Sequence, residues 1–270
     1  MKKLPIGIST LEKIRADDYI YIDKTHHVAQ LVNSGTEYFF LSRPRRFGKS
    51  LLLDTLKQAF LGNKDAFKGL HLENNWDWNV KHPIIYLNFG GASTDRSEAV
   101  LREYISQKLN AYADEYGIEL KSKELSNVLQ ELVEKLHGKY NTKVVLLVDE
   151  YDKPILDVID DEAQATINRD ILKGLYGAIK NLDQYLKFVF LTGVSKFSKV
   201  SVFSGLNNLN DITLDPHYAD ICGYTHTEME KAFTEYLVDG NVDKEKLKRW
   251  YNGYDFTGVE SQKVYNPFDI

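Results

Sequence analysis

Apolar positions along this chain fall into two rhythms. Four short continuous runs, Tyr38-Phe39-Phe40-Leu41, Pro83-Ile84-Ile85-Tyr86-Leu87-Asn88-Phe89, Val144-Val145-Leu146-Leu147-Val148 and Lys187-Phe188-Val189-Phe190-Leu191, have the length and β-branched or aromatic content of strands buried in a parallel sheet. Between them the apolar residues recur at three and four, as in Leu52, Leu56 and Phe60, or Leu125, Val128, Leu129, Leu132, Val133 and Leu136, and predict amphipathic helices. Two more helices are expected, from Asp95 and Glu98 to Tyr116 with Gly117 closing it, and from Asp160-Asp161-Glu162 through Leu182 with interruptions at Gly174 and Gly177. Ile212-Thr213-Leu214 reads as a short fifth strand after the turn-rich stretch Ser204 to Asp211. Thr225-His226-Thr227-Glu228 is a capping box opening a helix to Leu237, and helical signals continue from Lys244 to Trp250. Upstream, Tyr19 to Thr25 leads towards the first strand, with Thr25 placed to cap a helix over His26 to Val32. Strands alternating with helices predict an α/β fold, a parallel sheet of about five strands flanked by helices over residues 1–222, then a small helical lobe over 223–270.

The segment between the first run and its helix carries the chemistry. Arg43-Pro44-Arg45-Arg46-Phe47-Gly48-Lys49-Ser50 ends in Gly-Lys-Ser, the ending of a phosphate-binding loop. Set between a strand and a helix, that ending lets backbone N–H groups wrap a phosphate, puts an ammonium on the β/γ oxygens and offers a hydroxyl to Mg²⁺. The generic pattern has glycine where this chain has Arg43. Arg43, Arg45, Arg46 and Lys49 crowd four cations into seven residues, a density that suits a triphosphate; salt bridges to nearby acids are the alternative.

A second half-motif follows the third run, where Val148 gives way to Asp149-Glu150. Two carboxylates at the C-terminal end of a buried parallel strand lie at the edge where open α/β sheets bind ligands. With a phosphate loop upstream, Asp149 is a candidate to hold Mg²⁺ and Glu150 to orient and deprotonate the attacking water. The fourth run ends in Thr192-Gly193-Val194-Ser195. A polar side chain there is expected beside the two acids, to sense the γ-phosphate or hold the water: Thr192 first, then Ser195, or either merely caps the strand.

Composition narrows the setting. With 43% hydrophobic and 27% charged residues the chain has the make-up of an ordinary globular protein. The one cysteine, Cys222, cannot form an internal disulfide, and this fits a cytoplasmic location. The basic N-terminus is followed by no apolar stretch of secretory-signal length, and no membrane span is visible. A formal net charge of −5 argues against a broad nucleic-acid footprint on this domain. His71, His82, His137, His217 and His226 are scattered without ligand spacing.

With both half-motifs placed, the chain resembles the bacterial AAA-ATPase-like family, P-loop proteins often fused to a C-terminal PD-(D/E)XK nuclease-like domain. The resemblance runs through Leu4-Pro5-Ile6-Gly7, Tyr21-Ile22-Asp23-Lys24-Thr25, the octet from Arg43 to Ser50, Phe67-Lys68-Gly69-Leu70, Val148 to Pro154, Phe203 to Leu209 and Trp250-Tyr251-Asn252-Gly253-Tyr254. It implies that Arg43 is a family trait, that ATP is the nucleotide, and that the Tyr21 to Thr25 arm lies against the base, bringing Tyr21 and Asp23 into the nucleotide-contacting set with Arg43 to Leu51. The implied function is Mg-ATP binding with slow hydrolysis, used as a conformational switch for a fused or partner effector. Lys49 and the loop amides then stabilise the transferred phosphoryl, Ser50 and Asp149 hold Mg²⁺, Glu150 acts on water, Thr192 reports the γ-phosphate, and Arg45 or Arg46 supplies charge in cis. An arginine from a neighbouring subunit of a homo-oligomer is the alternative, and the 223–270 lobe is expected as a lid. The chain stops at Tyr265-Asn266-Pro267-Phe268-Asp269-Ile270, where longer members continue, so a piece ending at the domain junction is expected. The competing reading is a non-hydrolysing, nucleotide-stabilised module that recruits a partner or a nucleic-acid target.

Overall fold

A computed structural model describes residues 1–92, 98–196, 206, 208–258 and 263–270. By packing, the chain forms two compact units, one of Thr36–Ser42 with Val80–Asn210, the other of Met1–Gly35, Arg43–Asn79 and Asp211–Ile270.

The first unit is built on β1 (Tyr38–Ser42), β2 (Ile84–Asn88), β3 (Val144–Asp149) and β4 (Leu186–Gly193). With β5 (Asn210–Asp211) they form a five-stranded sheet in the order β2-β3-β4-β1-β5, and the β2/β3, β3/β4 and β1/β4 pairs are parallel. Every residue of β1 and β3 is buried, as their uninterrupted apolar runs require. The helix Leu125–Tyr140 turns Leu125, Val128, Leu129, Leu132, Val133 and Leu136 into the core and stops at Asn141, whose φ of 52° takes the left-handed conformation of a helix C-cap. The parallel registers set Asn88 opposite Asp149 and Leu41 opposite Thr192, so the polar ends of β2, β3 and β4 share one edge of the sheet.

In the second unit the helix Lys49–Phe60 follows the loop from Arg43 to Gly48, and near the 3₁₀ turns Lys64–Phe67 and His71–Asn74 aromatic residues pack in pairs, Phe60 with Trp76 and Phe67 with Trp78. Ile20 of the N-terminal arm shares an apolar cluster with Met229, Phe233, Leu237 and Tyr265. Residues of the 223–270 stretch therefore pack with the arm.

Several local expectations are corrected. The helix Glu162–Ile179 runs unbroken through Gly174 and Gly177, each costing about 1 kcal/mol relative to alanine, because its buried face of Ile171, Leu172, Leu175, Tyr176 and Ile179 outweighs that cost. Thr25 is the first helical residue of Thr25–Asn33, not its cap; its hydroxyl donates to Asp23 Oδ1 at 2.7 Å and accepts from the Leu72 N–H at 3.0 Å. The fifth strand lies at Asn210–Asp211, two residues before the expected one. Thr225 and Glu228 form the reciprocal capping box, but the helix breaks at Phe233 into His226–Ala232 and Thr234–Asp239. Asp95 and the Ser204, Gly205 and Asn207 portion of the turn-rich stretch lie outside the described residues. Among the described residues no helix is long and apolar enough to cross a membrane.

Candidate functional site

The candidate residues are distributed over both units. In the sheet unit, Asp149 ends β3 fully buried, and its two carboxylate oxygens are separately held: Thr192 Oγ1 donates to Oδ1 at 2.6 Å and Tyr86 OH donates to Oδ2 at 3.2 Å. Charge-assisted bonds of this kind fix a carboxylate's orientation as well as its burial. Thr192 is thus the residue that aligns the acid. Ser195 is drawn elsewhere: its N–H and hydroxyl donate to Asp152 Oδ2 at 2.7 and 2.6 Å, joined by the Val194 N–H at 2.9 Å. Ser195 is placed beside a third acid, Asp152.

Glu150 is half-buried and sits at φ 54°, a left-handed conformation that costs a non-glycine residue about 1–2 kcal/mol. The turn is held by the bond from Tyr151 N–H to the Thr192 carbonyl at 2.9 Å. Strain kept by surrounding bonds is a frequent mark of a functional position. Gly90 lies against this carboxylate: a Cβ there would stand 3.1 Å from Glu150 Oε2 and 2.9 Å from Asn88 Oδ1. Gly193 is equally constrained, since its Cβ would meet the Tyr151 ring at 2.5 Å and Asp152 Oδ1 at 2.8 Å. Sequence reading passed over Tyr86, Gly90 and Asp152. The Asp at 152 carried a usable signal, an acid three residues after the strand-end Asp149.

In the other unit the loop from Arg43 curls into the helix Lys49–Phe60. Arg46 at φ 63° and Gly48 at φ 94° both take left-handed conformations in this turn. Lys49 is buried at the helix start, with Nζ donating to the Arg43 and Pro44 carbonyls at 2.9 Å each, so the ammonium is held against the loop itself. Ser50 and Leu51 begin the helix, partly buried. Phe47 is fully buried, edge-on to Tyr254 and Phe256. Arg45 is exposed, and the exposed Arg46 stacks its guanidinium 3.8 Å over Phe268.

Arg43 is the surprise of the loop. Its side chain is fully buried, its guanidinium donates to the Thr213, Tyr218 and Ala219 carbonyls at 2.7, 3.1 and 3.4 Å, and it lies 3.8 Å over the Phe256 ring. Burial pushes its pKa down to about 10, still charged at neutral pH. The guanidinium anchors the loop to these carbonyls. Tyr21 and Asp23 have structural partners too. Burial raises the Tyr21 phenol well above its ordinary value although it bonds Thr55, and Asp23 accepts from the Thr25 N–H and hydroxyl and from the His71 N–H.

A parallel sheet with acids at the ends of its strands, together with a Gly-Lys-Ser sequence opening a helix, is consistent with a P-loop NTPase-like fold. Comparison with known proteins makes this specific: residues 5–203 match the AAA-ATPase-like family, described as "Predicted AAA-ATPase", and the chain belongs to that family. Nucleotide binding is the general property that membership carries. The chain is also 47% identical over its whole length to an "Uncharacterized protein in vnfD 5'region" of Azotobacter chroococcum mcd 1, and it spans about half (51%) of that curated relative. No solved structure matches it.

Proposed function

We propose that the chain binds Mg-ATP and hydrolyses it slowly, the cycle serving as a conformational switch for an effector domain or partner. The observation that carries this reading is Asp149, a fully buried carboxylate at the end of β3 whose orientation is fixed by Thr192 and Tyr86. The proposed ligands of Mg²⁺, the Asp149 carboxylate and the Ser50 hydroxyl, are each hard oxygen donors of the kind that ion takes. Bound there, the ion would neutralise charge on the β/γ oxygens.

The loop amides and Lys49 bind and orient the phosphates, the lysine exchanging its two carbonyl partners for phosphate oxygens. Thr192 holds Asp149 in register. Glu150, kept in its left-handed turn, orients the water and takes its proton. Arg45 and Arg46 supply charge from the loop, Arg46 by leaving Phe268. The relative's length, twice that of this chain, supports an effector in the remainder of such proteins, and a nuclease-like domain is the proposed kind.

The test is phosphate release from Mg-ATP by the wild type and Glu150→Gln, with binding measured on the same samples. Turnover lost with binding kept in Glu150→Gln is the expected result. Wild-type binding without any turnover would replace hydrolysis with the nucleotide-stabilised binding module.

A further inference from the structure

Asp220 divides its carboxylate between two neighbours. Oδ2 takes the Lys24 ammonium at 3.2 Å, and Lys24 also reaches Glu228 at 2.6 Å. Oδ1 faces Nε2 of His27 at 3.0 Å. His26 adjoins, its ring centroid 4.0 Å from that of His27. One ring nitrogen from each histidine and one Asp220 oxygen lie within 4.8 Å of one another. His27 is only 3% exposed, yet its Nδ1 has no hydrogen-bond partner among the described residues.

Nε2, not the unpartnered Nδ1, is the His27 nitrogen that faces the carboxylate, so Nε2 and Oδ1 are the two donor atoms already brought together at 3.0 Å. We propose that His26, His27 and Asp220 form a binding site for one divalent transition-metal ion of the imidazole-preferring class, Zn²⁺ first. Two nitrogen and one oxygen donors are a set zinc takes, with water in the fourth position. Ligand atoms about 2.0–2.1 Å from a tetrahedral zinc stand about 3.3 Å apart, so the cluster needs at most about 1.5 Å of closing, and the His27–Asp220 pair almost none. Lys24 supplies the outer contact that orients a ligating carboxylate.

The site has a structural reach. It ties the helix Thr25–Asn33 to the segment whose Tyr218 and Ala219 carbonyls hold Arg43, two residues and one residue before Asp220. Metal binding would therefore stiffen the mount of the loop arginine. Nothing in this depends on nucleotide binding.

Titrating the chelator-treated chain, free of nucleotide, with Zn²⁺ by calorimetry and with Co²⁺ by visible absorption tests the assignment. One ion per chain is expected, with a four- or five-coordinate cobalt spectrum and a thermal midpoint that rises on adding zinc. His26→Ala, at an exposed position that leaves the fold intact, should weaken zinc binding at least about tenfold and abolish the zinc-dependent rise. His217→Ala, at an exposed histidine paired with Asp215, should leave both unchanged. No stoichiometric binding by the wild type, or equal affinity in His26→Ala, would overturn the site.

Discussion

Replacing Arg43 with methionine separates an anchor from a ligand contact. The substitution keeps an apolar stem against Phe256 and removes the cation that satisfies the carbonyls of Thr213, Tyr218 and Ala219. The two shorter bonds, at 2.7 and 3.1 Å, bear most of the loss. Each buried carbonyl left unpaired costs about 1–3 kcal/mol, and the lost stacking of a desolvated guanidinium about 1–2 kcal/mol more. Relief of a buried charge offsets part of this, so the net loss should be about 3 kcal/mol. For a chain of this size that lowers the melting midpoint by about 6–10 °C, read by circular dichroism and checked by urea titration. Glu150→Gln is the control, expected to melt within a few degrees of wild type and to keep the nucleotide. If Arg43→Met melts like the wild type but no longer binds Mg-ATP, the guanidinium is a nucleotide contact and the anchoring argument fails.

Other consequences follow from the same geometry. Gly90→Ala should push the Glu150 carboxylate aside and slow phosphate release at least about tenfold with ATP affinity unchanged, because a displaced general base loses its alignment with the water; an unaltered rate would show that Gly90 does not set Glu150. Asp152→Ala strips the shared acceptor from three donors at the end of β4 and should cost about 3 kcal/mol, measured by urea unfolding, with a loss under about 1 kcal/mol contradicting the account. Glu131 is held down to about 2, first by its hydrogen bond from Lys135 and then by backbone N–H groups of Ser122 and Lys121. Because the folded value lies below the unfolded one, its stabilisation is complete above the ordinary glutamate range near pH 4.3 and disappears as pH falls through about 2. The midpoint gap between wild type and Glu131→Gln should therefore be full at pH 7, shrink below pH 4, and be absent at the acid end; a gap independent of pH would refute the linkage.

Much of the sheet could be read from the chain because burial on both faces leaves an uninterrupted apolar run, as in Val144 to Val148. The ends of β3 and β4 were legible for the same reason, since polar residues directly after such runs mark the binding edge. What escaped depended on contacts between residues remote in sequence. Arg43 looked like one of four loop cations because its carbonyl partners lie some 170 residues away in the chain, and no periodicity announces an acceptor. Gly90 looked like a strand terminator, whereas its lack of a side chain makes room for Glu150. Gly174 and Gly177 misled in the opposite direction: local propensity marked breaks, and the buried face of the helix overrode them. Thr25 and the 212–214 strand were displaced by one or two residues, the ordinary consequence of reading element ends from pattern alone.

The most direct test of the central claim is calorimetric titration of the purified chain with ATP and Mg²⁺, beside Lys49→Ala. One nucleotide bound per wild-type chain, with the heat abolished in a Lys49→Ala protein that still unfolds cooperatively above the temperature of the titration, is the predicted result. Failure of the folded wild type to bind, or equal binding by Lys49→Ala, would contradict it.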